Sequence, residues 1–313
     1  MVEAPVQLGK TNIRIPPMGT GAWEWGDRFM WGFGREYGPR QVEESFHASL
    51  AAGVDFFDTA ELYGNGRSEK FLGALMPSTD RKVILATKFF PFPWRLTRGA
   101  LHAALRASLK RLGRESVELY QIHQPYPPNA PVFWAEALAE AAQRGLIRAA
   151  GVSNYNADWT RRTHGVLARH GLPLASNQVE YSLLDRHIER DGTLGVCREL
   201  GVTIIAYSPL RKGVLAGKYT PAHPPAGPRG AMYNASYLRR VEPLLSLLRE
   251  MGEAHGGKTP AQVSLNWLIC KGAVPIPGAK SAAQVEDNAG ALGWRLKPEE
   301  ILRLDEVSAP LAA

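Results

Sequence analysis

The sequence predicts an α/β protein folded as a single (β/α)8 TIM barrel, with a β-hairpin ahead of it and extra helices before strand eight and at the C-terminus. Three observations lead there. Strand-like and helix-like runs alternate from Met18 onward at a spacing of roughly thirty residues, giving eight units in about 290 residues. The strand runs are apolar throughout, as in a parallel sheet covered by helices. No Gly-x-Gly-x-x-Gly joins a strand to a helix, so the phosphate fingerprint of an open doubly wound sheet is missing. No composition break or linker divides the chain, and residues 1–313 read as one domain.

Val6–Leu8 and Ile13–Ile15 flank Gly9 to Asn12 as a small hairpin. Met18–Trp23 is the first barrel strand, its glycines allowing close approach to the backbone. Trp25–Pro39, rich in aromatics and glycine without periodicity, reads as a loop. Arg40–Ala52 has helical spacing and stops at Gly53. Strands then follow at Asp55–Thr59, Lys82–Lys88, Val117–His123, Ile147–Ser153, Leu174–Glu180, Val202–Ser208 and Ala273–Pro277. The intervening helices are Ser68–Leu75, Thr97–Leu112 (capped by Thr97), Pro131–Arg144, Ala157–His170 and Glu189–Leu200. Several of these close at a glycine. Tyr237–Met251 and Pro260–Cys270 precede the last strand, with Ser281–Leu292 and Pro298–Val307 after it. Tyr219–Gly230 is too proline-rich for regular structure and reads as a functional lid.

The chain has 313 residues, 45% of them hydrophobic and 21% charged, enough to bury a full core. Its net charge of +7 is scattered in isolated pairs such as Arg161-Arg162 and Arg239-Arg240. A nucleic-acid-binding face would cluster that charge, so a phosphate-bearing small molecule is the expected anion. Two cysteines, Cys197 and Cys270, suggest a reducing compartment and no disulfide framework. The N-terminus has no apolar leader, and no run approaches the roughly 20 apolar residues needed to cross a bilayer. A cytoplasmic protein without a membrane partner is expected.

In this fold, function sits where strands end, on the C-terminal face. Strand two ends in Asp58, with Tyr63 in its loop; strand three ends in Lys88 and strand four in His123. Strand five gives Ser153 and Asn154, strand six Gln178, strand seven Tyr207 and Ser208, and strand eight opens into Gly278 and Lys280. Asp, Tyr, Lys and His on three consecutive strands suit proton donation coupled to hydride transfer. A Lys88 ammonium would lower the tyrosine's pKa from its reference near 10, with Asp58 keeping the lysine charged. His123 would donate to a substrate carbonyl. No side chain supplies a hydride, so a nicotinamide is implied. Tyr207 offers a face for stacking it, and Ser153, Asn154 and Gln178 offer partners for its carboxamide. A metal-dependent hydrolase would need several His and Asp ligands gathered at strand ends, and His123 is the one histidine there; no metal is expected.

Asp58 to Tyr63, Ala86 to Lys88, Gln121 to His123, Gly151 to Asn154, Tyr207 to Leu210 and Ile276 to Ala279 together resemble the aldo-keto reductases from end to end. The resemblance implies a tetrad of Asp58, Tyr63, Lys88 and His123, with Tyr63 as general acid. It also implies an NADPH/NADP+ site. Gly21 and Trp23 are counted among its residues, and Ser153, Asn154, Gln178 and Tyr207 would meet the nicotinamide. Ser208, Leu210, Gly213, Lys218 and Arg229 would meet the pyrophosphate. Gly278, Lys280, Gln284, Asp287 and Asn288 would meet the adenosine end, Lys280 pairing with a 2′-phosphate. Relatives usually carry Glu where Asp287 stands. The Tyr219–Gly230 loop and Leu174–Ser182 are similar to a plant and cyanobacterial branch with pyridoxal-reductase-like members.

Trp25, Trp31, Phe33, Trp94, Tyr126 and Tyr233 are the expected substrate-pocket walls, and aromatic walls favour a flat or apolar aldehyde over a sugar phosphate. The leading expectation is a monomeric NADPH-dependent aldehyde or ketone reductase acting on a small-molecule carbonyl. The alternative is an NADPH-binding regulatory subunit resembling potassium-channel β subunits, which also keep the tetrad.

Overall fold

The computed structural model describes residues 4–126, 131–225 and 228–312, with Pro131, Pro228 and Arg229 described in their backbone only. In chain order the strands are β1 (Val6–Gln7), β2 (Arg14–Ile15), β3 (Thr20–Gly21), β4 (Phe56–Asp58), β5 (Ile84–Phe89), β6 (Val117–Ile122), β7 (Ile147–Ser153), β8 (Leu174–Glu180), β9 (Thr203–Tyr207) and β10 (Val274–Pro275). The helices are α1 (Pro39–Ala51), α2 (Arg67–Leu75), α3 (Arg98–Leu112), α4 (Pro131–Gln143), α5 (Ala157–Arg169), α6 (His187–Arg190), α7 (Thr193–Leu200), α8 (Pro228–Met232), α9 (Ala235–Ala254), α10 (Pro260–Cys270), α11 (Ala282–Ala289) and α12 (Pro298–Ser308).

β3 to β10 form one parallel sheet in sequence order. The ring closes where Gly19 and Gly21 donate their amides to the carbonyls of Pro275 and Pro277, both at 3.0 Å, with Gly21 bridging to Gly278. The expected barrel is therefore present, eight parallel strands curled round with helices outside.

Three local expectations change. Thr97 occupies the N-cap of α3 but makes no side-chain cap bond. The helix expected over Glu189–Leu200 is two, α6 and α7, because the chain turns at Asp191 and Gly192, where Gly192 takes φ 86°. The proline-rich segment expected to lack regular structure ends in α8, started by Pro228 at the first helical position, where a missing amide costs nothing.

Alternate strand residues divide the core in two. Outward residues such as Phe57, Leu85, Tyr120 and Val152 pack under the helices. Inward, Phe56, Ile84, Leu119, Ala149, Ala175, Ile205 and Val274 form a separate apolar cluster at the N-terminal end of the barrel. Leu8, Ile13 and Ile15 of the hairpin join it, so the hairpin is the floor of the barrel. Burying each of those side chains contributes about 1.5–3 kcal/mol.

Seating the hairpin needs a glycine at its turn. Gly9 has φ +57°, and a Cβ there would fall 2.6 Å from the Ala175 carbonyl oxygen; its amide donates to Thr203 Oγ1 at 2.7 Å. Gly9→Ala is expected to lose about 2 kcal/mol or more of unfolding free energy, from left-handed strain plus overpacking. An unchanged urea midpoint would show that the hairpin does not seal the barrel as described.

Candidate active site

Above the apolar floor the inward positions turn polar. Asp58 ends β4, and the register sets Lys88 of β5 opposite Gln121 of β6, Gln121 opposite Gly151 of β7, and Ser153 opposite Gln178 of β8. The Lys88 ammonium, fully buried, donates to Asp58 Oδ1, to the Thr59 carbonyl at 2.9 Å and to the Tyr63 hydroxyl at 3.1 Å, which uses all three of its protons. Asp58 Oδ2 accepts from Gln178 Nε2 at 2.7 Å and Gln121 Nε2 at 3.3 Å. A buried ion pair is tolerable only when its remaining lone pairs and protons are satisfied, and here they are.

The Tyr63 ring stacks on Trp23 at 6.2 Å and meets His123 edge-on at 5.8 Å. Burial, and then the carboxylates of Asp58 and Glu24, hold its phenol well above the ordinary value. This reverses the direction expected from the sequence. Lys88 does touch the hydroxyl, but Asp58 balances its charge and burial lowers the lysine's own pKa. Burial, and then Lys88, push the His123 imidazole down to about 3. The histidine is therefore neutral at physiological pH, and its Nδ1 is buried without a hydrogen-bond partner.

These side chains sit at one end of a groove of about 380 Å³, within the size range of ligand clefts. Gly21, Trp23, Trp31, Asp58, Tyr63, His123, Ser153, Asn154, Gln178 and Tyr207 line that end. Ser208, Leu210, Gly213, Lys218, Gly278, Lys280, Gln284, Asp287 and Asn288 continue the wall. Ser153 Oγ donates to the Gln178 carbonyl at 2.8 Å, Asn154 Nδ2 donates to Ser153 Oγ at 3.0 Å, and the Tyr207 hydroxyl donates to Asn154 Oδ1 at 2.9 Å. Asn154, Ser208 and Lys212, all on the groove wall, adopt positive φ, the kind of strain that collects at functional sites. Asp287 accepts from Thr259 Oγ1 at 2.9 Å and Gln262 Nε2 at 3.1 Å, so its carboxylate also braces the start of α10.

Some expected residues lie elsewhere. Trp25 is buried against Phe57 and donates its indole N–H to the Ala279 carbonyl at 3.0 Å; it fastens the loop. Phe33 packs edge-on against Tyr37 and Phe71 in the core. Tyr233 is buried beside Tyr237, off the groove. Trp94 and Tyr126 stand outside the groove lining, at 72% and 47% exposure. They end a run of rings in which Phe90 meets His123 and Tyr126, each at 5.7 Å, and Phe92 stacks on Trp94 at 4.5 Å. The Arg229 side chain lies outside the described residues.

Sequence reading missed Gln121, Glu24, Glu36 and Lys212. Gln121 was recoverable, since it stands two residues before His123 on the same strand face. Glu24 carried a weaker signal, a lone acid between Trp23 and Trp25. Lys280 lies on the groove wall, where it donates to the Trp31 carbonyl at 2.7 Å and pairs with Glu36 at 3.1 Å.

The aldo/keto reductase family model matches residues 17–309. The chain belongs to the aldo/keto reductase family. It is an oxidoreductase acting on carbonyl groups. It is 41% identical over 307 residues to the chloroplastic pyridoxal reductase of Arabidopsis thaliana, covering 94% of this chain and 83% of that one. It is 31% identical over 318 residues to the aldo-keto reductase yakc of Schizosaccharomyces pombe, named for NADP(+), covering 94% of this chain and 89% of the relative. A thermostable aldo-keto reductase crystallised with the inhibitor epalrestat superposes with a TM-score of 0.78 at 30% identity, covering 97% of this chain and all (100%) of that one. Among the described residues, no helix of this reductase is long and apolar enough to cross a membrane, and no three His, Cys, Asp or Glu side chains gather to hold a metal.

Removing one partner of the buried pair strands the other. Asp58→Asn is expected to cost about 3–5 kcal/mol of stability, and adding Lys88→Met to it should recover part of that loss. Urea denaturation of the single and double variants measures both. Additive losses would mean the two side chains are not coupled.

Proposed function

We propose that this reductase converts an aldehyde or ketone to the alcohol with NADPH, Tyr63 acting as general acid. The observation that carries the proposal is the Tyr63 hydroxyl held 3.1 Å from the Lys88 ammonium and beside neutral His123, at the head of a groove with cations along it. Because the phenol is held above its ordinary pKa, it stays protonated across the physiological range. It gives up its proton only to a strong base, which is what the carbonyl oxygen becomes as it is reduced. Lys88 then supports the phenolate left behind, and Asp58 keeps Lys88 in place. His123 can donate a hydrogen bond to the same carbonyl oxygen, fixing its position. Bound NADPH supplies the hydride, which no side chain carries.

The groove suits that cofactor in its donor set. Ser153, Asn154 and Gln178 would hold the carboxamide, and Tyr207 would present its ring to the nicotinamide. Ser208, Leu210, Gly213 and Lys218 would follow the diphosphate. Gly278, Lys280, Gln284, Asp287 and Asn288 would take the adenosine end, with Lys280 exchanging Glu36 for the 2′-phosphate. A relative named for NADP(+) supports NADPH over NADH. For the substrate, the ring face of Trp23 and the run Phe90, Phe92, Trp94 and Tyr126 favour a flat aromatic aldehyde. Pyridoxal fits that description, and the similarity to a pyridoxal reductase supports it. We place the working enzyme as a monomer, which size-exclusion chromatography during turnover would test.

Tyr63→Phe is expected to lower kcat for pyridoxal or benzaldehyde reduction by about 10²-fold or more while NADPH binding stays near normal. Retained turnover would mean another acid. Lys280→Ala should weaken NADPH by about tenfold or more and leave NADH little changed, as loss of a charge-assisted bond to one phosphate requires. Fluorescence titration with both cofactors decides this, and equal losses would remove the 2′-phosphate role.

A further inference from the structure

Glu24 is a buried acid that the mechanism above does not use. It lies in the loop after β3 at 8% exposure, and its side chain lines the same groove as Lys280 and Gly278. The carboxyl lies flat on Gly278: a Cβ added there would fall 1.9 Å from Glu24 Oε1. Its Oε2 is buried with no hydrogen-bond partner. Leaving a carboxylate oxygen in that state is costly unless a donor arrives or the group takes a proton.

The groups facing it do not remove the cost. Lys280 attracts it through space, but its ammonium is spent on the Trp31 carbonyl and on Glu36. Asp27, on the same loop, is a second negative charge, and its Oδ1 caps the Met30 amide at 2.8 Å. Tyr37 donates its hydroxyl to the Glu24 backbone carbonyl, not to the carboxyl. Tyr63, deeper in the groove, is neutral. Burial outweighs the pull of Lys280 and raises the carboxyl to about 7.

We propose that Glu24 is a proton-linked cofactor-binding residue, which enters the complex as the neutral acid and donates its hydroxyl to an oxygen of the bound dinucleotide. The proposal rests on the reading of this groove as the NADPH site. A dinucleotide brings phosphate charge into the groove, and like charge favours protonated Glu24 further. Below pH 7 the acid is already protonated in the free enzyme, and binding takes up little. Above it, binding must draw one proton from solvent. The dissociation constant should then rise with pH, approaching about tenfold per unit.

The test is isothermal titration calorimetry of NADPH into the unmodified enzyme and into Glu24→Gln between pH 6 and 8.5. Two buffers of different ionisation enthalpy count the protons. The cofactor's own 2′-phosphate titrates near pH 6 with both proteins, so the difference between them is the readout. The expected result is uptake approaching one proton near pH 8 by the unmodified enzyme. Glu24→Gln, whose amide can still donate, should take up none and bind at least as tightly at pH 8. Binding by the unmodified enzyme without proton uptake would overturn the proposal and leave the NADPH site standing, and that measurement needs no variant. A Glu24→Gln protein with the same pH slope would overturn it equally. No NADPH binding by the unmodified enzyme at any pH would overturn the reading of the groove, and this proposal with it.

Discussion

One buried ion pair organises the polar half of this barrel. Asp58 and Lys88 sit on neighbouring strands almost wholly out of water, and everything around them follows from keeping two such charges satisfied. Gln121 and Gln178 turn their amides toward the free carboxylate oxygen. Thr59 and Tyr63 take the remaining lysine protons. The price of burying the pair is thus a shell of fixed partners, and Tyr63 is one of them. The phenol is held in one position by the group that would support its anion.

The loop over Trp25–Tyr37 shows how the second half of the groove is built. Its tryptophans are shared between two tasks that a sequence cannot separate. Trp25 goes inward to fasten the loop through Ala279, whereas Trp31 stays on the groove wall and lends its carbonyl to Lys280. Glu24 and Glu36 both stand beside Lys280 on this stretch of the wall. An anionic ligand arriving there meets acids as well as a cation, so the electrostatics of this end is a balance and not a plain attraction.

How far the sequence carries depends on what kind of signal a residue leaves. Strand periodicity and glycine stops placed all eight barrel strands, and the rule that function lies at strand ends brought Asp58, Lys88 and His123 together because strand direction alone decides where they point. Phe33, Trp25 and Tyr233 were misplaced because an aromatic side chain in an irregular loop has no periodicity to say which way it faces. The Tyr63 phenol was misjudged for another reason. A lysine beside it is legible, but the burial that outweighs the lysine's charge is a property of the whole fold. Phe90 and Phe92 escaped notice because they lie just past a strand end, where the alternation of faces stops.

The hairpin floor gives the molecule a direction. Leu8, Ile13 and Ile15 shut the barrel beneath the ion pair, so the groove stands on a sealed floor. A molecule that reaches Tyr63 and His123 comes along the groove they line, with the apolar floor behind them.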